Sequence, residues 1–189
     1  MNSICVFLGS STGSDPAYMD AADALGRELA IRDLTCVYGG SCTGLMKQLA
    51  DSALAAGGKV VGVTVQALKD REEFHQGLTE LHVLPTMHER KNLMVQLADG
   101  FVALPGGIGT FEEFFEVYTL QQMGFHSKPC GLLNVNGFFK PLELMLETAE
   151  KEGFLKTPHQ KTIIRAVNSS QMLDLIIKID FFTGKLKTW

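Results

Sequence analysis

Six short apolar runs punctuate the chain, at Ile4–Leu8, Cys36–Tyr38, Val60–Thr64, Leu81–Leu84, Phe101–Leu104 and Cys130–Leu133, and helical periodicity fills most of the intervals between them. Runs of continuous rather than alternating apolar residues suit strands that are covered on both faces, and their alternation with helices predicts an α/β fold. The expected architecture is a mostly parallel sheet with helices on both sides. Asp15-Pro16 marks the start of the first helix, because aspartate suits the N-cap and proline the first turn. Tyr18, Ala22, Leu25 and Leu29 form its buried stripe at helical spacing. Gly57-Gly58 ends the second helix. Val65–Thr79 lacks clear periodicity and reads as a surface loop or lid with a short helix, the kind of segment that carries ligand contacts. Beyond Glu152 the chain reads as a linker with room for one short strand, and Asn168 to Ser170 offer caps for a last helix ending near Lys178.

Composition narrows the class. At 189 residues, 46% hydrophobic and 20% charged, the chain fits one globular domain spanning 1–189. Its formal charge of −4 argues against a sequence-independent nucleic-acid binder, which carries a basic footprint. No stretch approaches the length of a membrane span, and "MNSICVFLG" reads as a first strand rather than a signal peptide. Cys5, Cys36, Cys42 and Cys130 form no CxxC pair and no zinc-like spacing with the histidines, so reduced thiols in a cytoplasmic protein are expected, with no metal site and no cofactor.

Three strand-to-helix junctions are rich in small residues: "GSSTGSD" from Gly9, "YGGSCTGLM" from Tyr38 and "PGGIGT" from Pro105. In an open parallel sheet such junctions line the ligand crevice, and helix N-termini there present free amides to a phosphate. Gly9, Ser10, Ser11, Gly39 and Gly40 are therefore candidates for the phosphate crevice. The common fingerprints fail, since a P-loop from Gly39 needs lysine where Leu45 stands and GxGxxG from Gly107 needs glycine where Glu112 stands. A nucleoside monophosphate fits better than ATP or NAD, because one phosphate needs only one such turn.

Two stretches carry candidate chemistry. In "LPGGIGTFEEFFEV", Thr110 and Glu113 have the spacing of a capping box, which leaves structural and functional readings of the acidic residues open. Gly106, Gly107 and Gly109 each cost about 0.5–1 kcal/mol relative to alanine in regular structure, which points to a close approach to that backbone. In "MHERKNLMVQLAD", Met87, Met94, Leu97 and Ala98 form an apolar arc at 100° per residue, and Arg90 and Lys91 fall inside it while Glu89, Asn92 and Gln96 point away. A cation on a buried or cleft-facing arc needs an anionic partner, either a carboxylate or a bound phosphate.

These motifs resemble the LONELY GUY (LOG) family of cytokinin riboside 5′-monophosphate phosphoribohydrolases, whose members long carried the label "lysine decarboxylase-like". The likeness runs from about Ile4 to Leu155, leaving 156–189 as a C-terminal extension. It rests on "GSS" at Gly9, "YGG" at Tyr38, "GLM" at Gly44, "MHERK" at Met87, "ALPGGIGTFEE" at Ala103 and "KPCGLLNVNGFF" at Lys128. The resemblance implies a single-domain α/β fold with a doubly wound, Rossmann-like sheet, and a homodimer that hydrolyses the N-glycosidic bond of an adenine-type nucleotide. By position it assigns Arg90 and Glu113 as the catalytic pair. Its ligand-binding positions fall on Glu72, Lys91, Gly106, Gly107, Ile108, Gly109, Thr110, Phe111, Glu112 and Thr119. The chain departs from the family at Ser41 and Lys47, each in place of a glycine, at Val65 in place of a proline and at Leu120 in place of a tryptophan.

The expected mechanism follows from the bond. Cleaving a ribosyl C–N bond develops positive charge on the sugar, which a fixed carboxylate stabilises. Glu113 takes that role, and Arg90 either holds the phosphate or assists the departing base. The rival readings are a non-catalytic purine-nucleotide sensor and an amino-acid decarboxylase, the latter requiring pyridoxal phosphate on a Schiff-base lysine.

Overall fold

In the computed structural model, which describes residues 1–69, 74–156 and 162–182, seven strands form one sheet. They are β1 (Ser3–Phe7), β2 (Thr35–Tyr38), β3 (Val60–Val65), β4 (Glu80–Leu84), β5 (Gly100–Ala103), β6 (Cys130–Leu133) and β7 (Ile163–Ala166). The strand order is β4-β3-β2-β1-β5-β6-β7, and every neighbouring pair is parallel. The helices are α1 (Pro16–Ile31), α2 (Gly44–Ala55), the short α3 (Gln66–Lys69), α4 (Met87–Leu97), α5 (Ile108–Gln122), α6 (Lys140–Lys151) and α7 (Ser169–Phe182).

The continuous apolar runs have the predicted cause in every strand but the edge strand β4, which is only half-buried: the others bury residues on both faces. Ile4 and Val6 of β1 join α1, α2 and α7 in one core, and Cys5 and Phe7 join α4, α5 and α6 in the other. Asp15 caps α1 by accepting a hydrogen bond from the Ala17 amide at 2.9 Å. Ala22, Leu25 and Leu29 are buried as expected, while Tyr18 is only half-buried and packs edge-on against Phe138.

The segment read as a linker is integral to the sheet. β7 pairs with β6 from Cys130↔Ile163 to Leu133↔Ala166, and Met172, Leu173 and Ile176 of α7 are fully buried beneath it. Arg32 at the end of α1 ties α7 down through Asp174 at 2.6 Å. The helix also runs past the expected end at Lys178, to Phe182.

The topology places the site. The chain winds outward through β2, β3 and β4, then crosses back by α4 to insert β5 on the other side of β1. Ligand crevices in such sheets open where the winding reverses, at the carboxyl ends of the central strands. Here that point lies between β1 and β5, and the Gly9 amide donates to the Pro105 carbonyl across it at 3.1 Å.

The face carrying α1 and α2 depends on Gly26, which lets the two helices touch backbone to backbone. A methyl group there would lie 2.5 Å from the Leu49 carbonyl oxygen and 3.0 Å from the Ala53 nitrogen. Alanine would gain about 1 kcal/mol in helix propensity, yet overpacking against groups that cannot rotate away costs about 1–3 kcal/mol. Gly26→Ala is therefore expected to yield no gain and to destabilise the protein by up to about 2 kcal/mol, read as a lower denaturant midpoint, against the gain that propensity alone predicts.

Candidate active site

The geometry begins with α4. Thr86 accepts from the Glu89 amide and the Glu89 carboxylate accepts from the Thr86 amide, which makes a capping box that fixes the start of this helix. One residue later Arg90 turns inward and is only 5% exposed. Its Nε donates to the Val63 carbonyl at 2.8 Å and its Nη1 to Glu113 Oε1 at 2.8 Å. Nη2 lies over Gly39, where an added Cβ would come within 2.9 Å of it. Glycine at 39 thus makes room for the guanidinium, and α4, β3, the turn after β2 and α5 all meet on this one side chain.

Glu113 does not cap its helix. α5 starts at Ile108 with Gly107 as N-cap, so Thr110 is already in the first turn and the capping reading of Thr110 and Glu113 is overturned. With its side chain 15% exposed, Glu113 reaches Arg90 instead. Burial pushes its carboxyl above the usual carboxylate range, and the neighbouring guanidinium restrains that rise.

Lys91 has a different environment. Its ammonium lies 2.5 Å from Glu112 and 2.8 Å from Glu116, which clasps α4 to α5, and the two carboxylates hold its pKa above the ordinary lysine value. The predicted arc on α4 therefore holds for Arg90 and Met94, which are buried, and fails for Met87, which is 44% exposed at the start of the helix.

Above the carboxyl ends of the strands lies a crevice of about 350 Å³. Arg90 and Glu113 form part of its wall, together with Gly9, Ser10, Gly39 and Gly107 to Thr110. The Ile108, Gly109 and Thr110 amides open α5 and have no carbonyl one turn back within the helix, so they and the positive end of the dipole are available to an anion. A Cβ at Gly107 or Gly109 would meet nothing within 4 Å, so the space beside this backbone is open. Gly106 differs: a Cβ there would strike Thr110 Oγ1 at 2.1 Å and the Gly9 amide nitrogen at 2.8 Å, so that glycine serves the packing of the two turns. On the other side of Gly9 and Gly107 a second cavity, of about 280 Å³, is lined by Ser11, Tyr18, Gly106 and Phe138.

Not every predicted site residue reaches the crevice. Gly40 takes φ +83° and packs against Gly62, Leu81 and Phe74, so it shapes the turn behind the wall. Phe111 joins Phe138 and Phe139 in an aromatic cluster. Glu112 pairs with Lys91, and Thr119 is exposed further along α5, outside both cavities. Glu72 lies outside the described residues. Several wall residues were not among the predicted site residues: Leu8, Ser41, Met46, Thr64, Leu68, Phe74 and Met87. Leu8, Ser41 and Thr64 lie at or just beyond strand carboxyl ends, Met46 and Met87 in the first turns of α2 and α4, and Leu68 and Phe74 in the segment read as a lid, where Phe74 forms a backbone bridge with Ser41.

A doubly wound sheet with a buried Arg–Glu pair beside an open helix N-terminus defines an α/β protein equipped for a small anionic ligand. The sequence model of a family described as "possible lysine decarboxylase" matches residues 46–176. The chain is 47% identical over 163 residues to the cytokinin riboside 5′-monophosphate phosphoribohydrolase of Rhodococcoides fascians, covering 86% of this chain and 82% of that protein. It is 42% identical over 187 residues to cytokinin riboside 5′-monophosphate phosphoribohydrolase LOG2 of Arabidopsis thaliana, covering 97% of this chain and 88% of that protein. The chain belongs to the LOG family. Its fold is shared with the molybdenum cofactor binding protein from Rippkaea orientalis, at a TM-score of 0.72 and 22% identity over 94% of this chain and 96% of that one.

Breaking a largely buried ion pair from one side strands the other charge, at a typical cost of about 3–5 kcal/mol. With the pair bordering a crevice, Glu113→Ala and Arg90→Ala should each lose about 3 kcal/mol of stability. Arg90→Met combined with Glu113→Leu should lose much less than the sum of the two single losses, as measured by a denaturation double-mutant cycle.

Proposed function

We propose that this protein is a phosphoribohydrolase that cleaves the N-glycosidic bond of adenine-type nucleoside 5′-monophosphates, AMP and cytokinin riboside 5′-monophosphates, giving free base and ribose 5-phosphate. The observation that carries the reading is the Glu113 carboxylate, oriented in the crevice by Arg90 beside the open amides of α5. The activities named for relatives at 42–47% identity support it.

In this reading the phosphate sits on the Ile108–Thr110 amides with Ser10 beside them, and the ribose lies against Glu113. As the C1′–N bond lengthens, the carboxylate stabilises the cationic sugar and positions water. The water oxygen bonds to C1′, the bonding electron pair leaves with the base, and the proton lost by water balances the one the base gains. Arg90 keeps Glu113 aimed and offers its remaining N–H groups to the crevice. Lys91 acts through Glu112 and Glu116 to fix α4 against α5. A decarboxylase would need a lysine that readily becomes a neutral amine, and two carboxylates hold Lys91 in its charged form instead.

We extend the proposal to a homodimer in the cytoplasm. Ile108 and Met87 at the crevice and Met123 and Phe125 beyond it expose apolar surface that suits a second copy, and the four free cysteines suit a reducing compartment. No helix among the described residues is long and apolar enough to cross a membrane. Light scattering should give twice the chain mass.

Incubation with AMP and N6-isopentenyl-AMP should release base and ribose 5-phosphate, followed by mass spectrometry. Glu113→Gln should lower kcat by about 10²–10⁴-fold with nucleotide binding largely kept; full activity in this variant would overturn the assignment. Activity requires ionised Glu113, so the rate should fall as the pH is lowered, with a midpoint above the usual glutamate range because burial raises the Glu113 carboxyl. The same upward shift means the native carboxyl holds its proton more tightly than the unfolded one. Across that interval, the contribution of Glu113 to stability should therefore fall as pH rises.

A further inference from the structure

Thr64 is the penultimate residue of β3, fully buried, and its hydroxyl has no hydrogen-bond partner among the described residues. Buried hydroxyls are nearly always paired, because one that is not has lost its water with nothing in return. Thr64 forms part of the wall of the same crevice as Arg90 and Glu113. Ser41, a second hydroxyl in that wall, lies 3.0 Å from Thr43 Oγ1. Thr64 therefore holds an unused hydrogen-bonding group where a ligand is expected.

The sheet orders the crevice from end to end. The open amides of α5 follow β5, whereas Thr64 ends β3, three strand spacings away through β1 and β2, or about 14 Å. Between them stand Glu113 and Arg90, the latter tied to Val63 and lying over Gly39. A ligand with its phosphate on α5 and its sugar at Glu113 puts its third part at the β3 end. There the lining includes Met46, Leu68 and Phe74, side chains that suit the faces of a flat heterocycle.

We infer that Thr64 is a specificity-determining residue, whose hydroxyl hydrogen-bonds the polar edge of the purine. The inference rests on the proposed nucleotide reading and adds the group that recognises the base. It assigns Thr64 no contact with the reacting atoms.

Thr64→Val keeps the shape and removes the hydroxyl. The ligand-free variant should melt at the same temperature as the wild type or higher, since an unpaired buried group has gone. Its affinity for AMP should fall about tenfold, with KM rising more than kcat changes. Affinity for ribose 5-phosphate, which has the sugar and phosphate but no base, should stay unchanged, and Thr64→Ser should restore AMP binding. Thr64→Ala gives the same comparison if valine disturbs packing. Wild-type AMP affinity in both hydroxyl-free variants would overturn the inference, and so would an equal loss of AMP and ribose 5-phosphate binding, which would place Thr64 at the sugar or phosphate. AMP bound but not cleaved by the wild-type protein would remove the hydrolase reading and leave the Thr64 comparison intact. A wild-type protein that does not bind AMP overturns both.

Discussion

A charged group taken out of water must be met by other charges and dipoles, and in this protein that requirement is concentrated on Arg90. The guanidinium spends one N–H on a strand carbonyl and another on the Glu113 carboxylate, and lies over a glycine that leaves it room. Each of those partners comes from a different element, so satisfying one cation fixes α4, β3, the turn after β2 and α5 relative to one another. Replacing Arg90 and Glu113 together by apolar residues would be energetically comparable in a core. At a crevice wall the pair does something a hydrocarbon cannot: it holds a partly desolvated carboxylate in a defined direction.

Much of the architecture was legible because burial on both faces writes itself as uninterrupted apolar runs. All six runs became strands, and the small-residue junctions after β1, β2 and β5 lie where the crevice opens. Arg90 was legible from its phase on α4. What escaped were distinctions that only three-dimensional distance resolves. The Thr110–Glu113 spacing serves a capping box and an inward-facing acid equally well, and the true capping box, Thr86–Glu89, lay one helix earlier. For Lys91 the sequence left a carboxylate and a bound phosphate open as partners, because the two carboxylates it pairs with sit on another helix.

The three glycines of the α5 turn also divide by function in a way that composition hides. Gly106 is demanded by the neighbouring turn, whereas Gly107 and Gly109 border open space. Thr64 was invisible for the opposite reason, since threonine suits a strand on propensity alone and raises no question until its hydroxyl is found unpaired. The resemblance to a known family supplied roles for residues, and the structure separated those that border the crevice from those that brace it.

The position of β6 and β7 outside the reversal point has a consequence for which part of the chain a ligand meets. Every described crevice residue falls between Leu8 and Glu113, on the β3-β2-β1-β5 half of the sheet, while the last two strands extend the opposite margin. None of the residues of that margin lines this crevice, although Phe138 after β6 lines the neighbouring cavity beside Gly9 and Gly107. The side chains that meet a ligand in this crevice thus come from the first two-thirds of the chain.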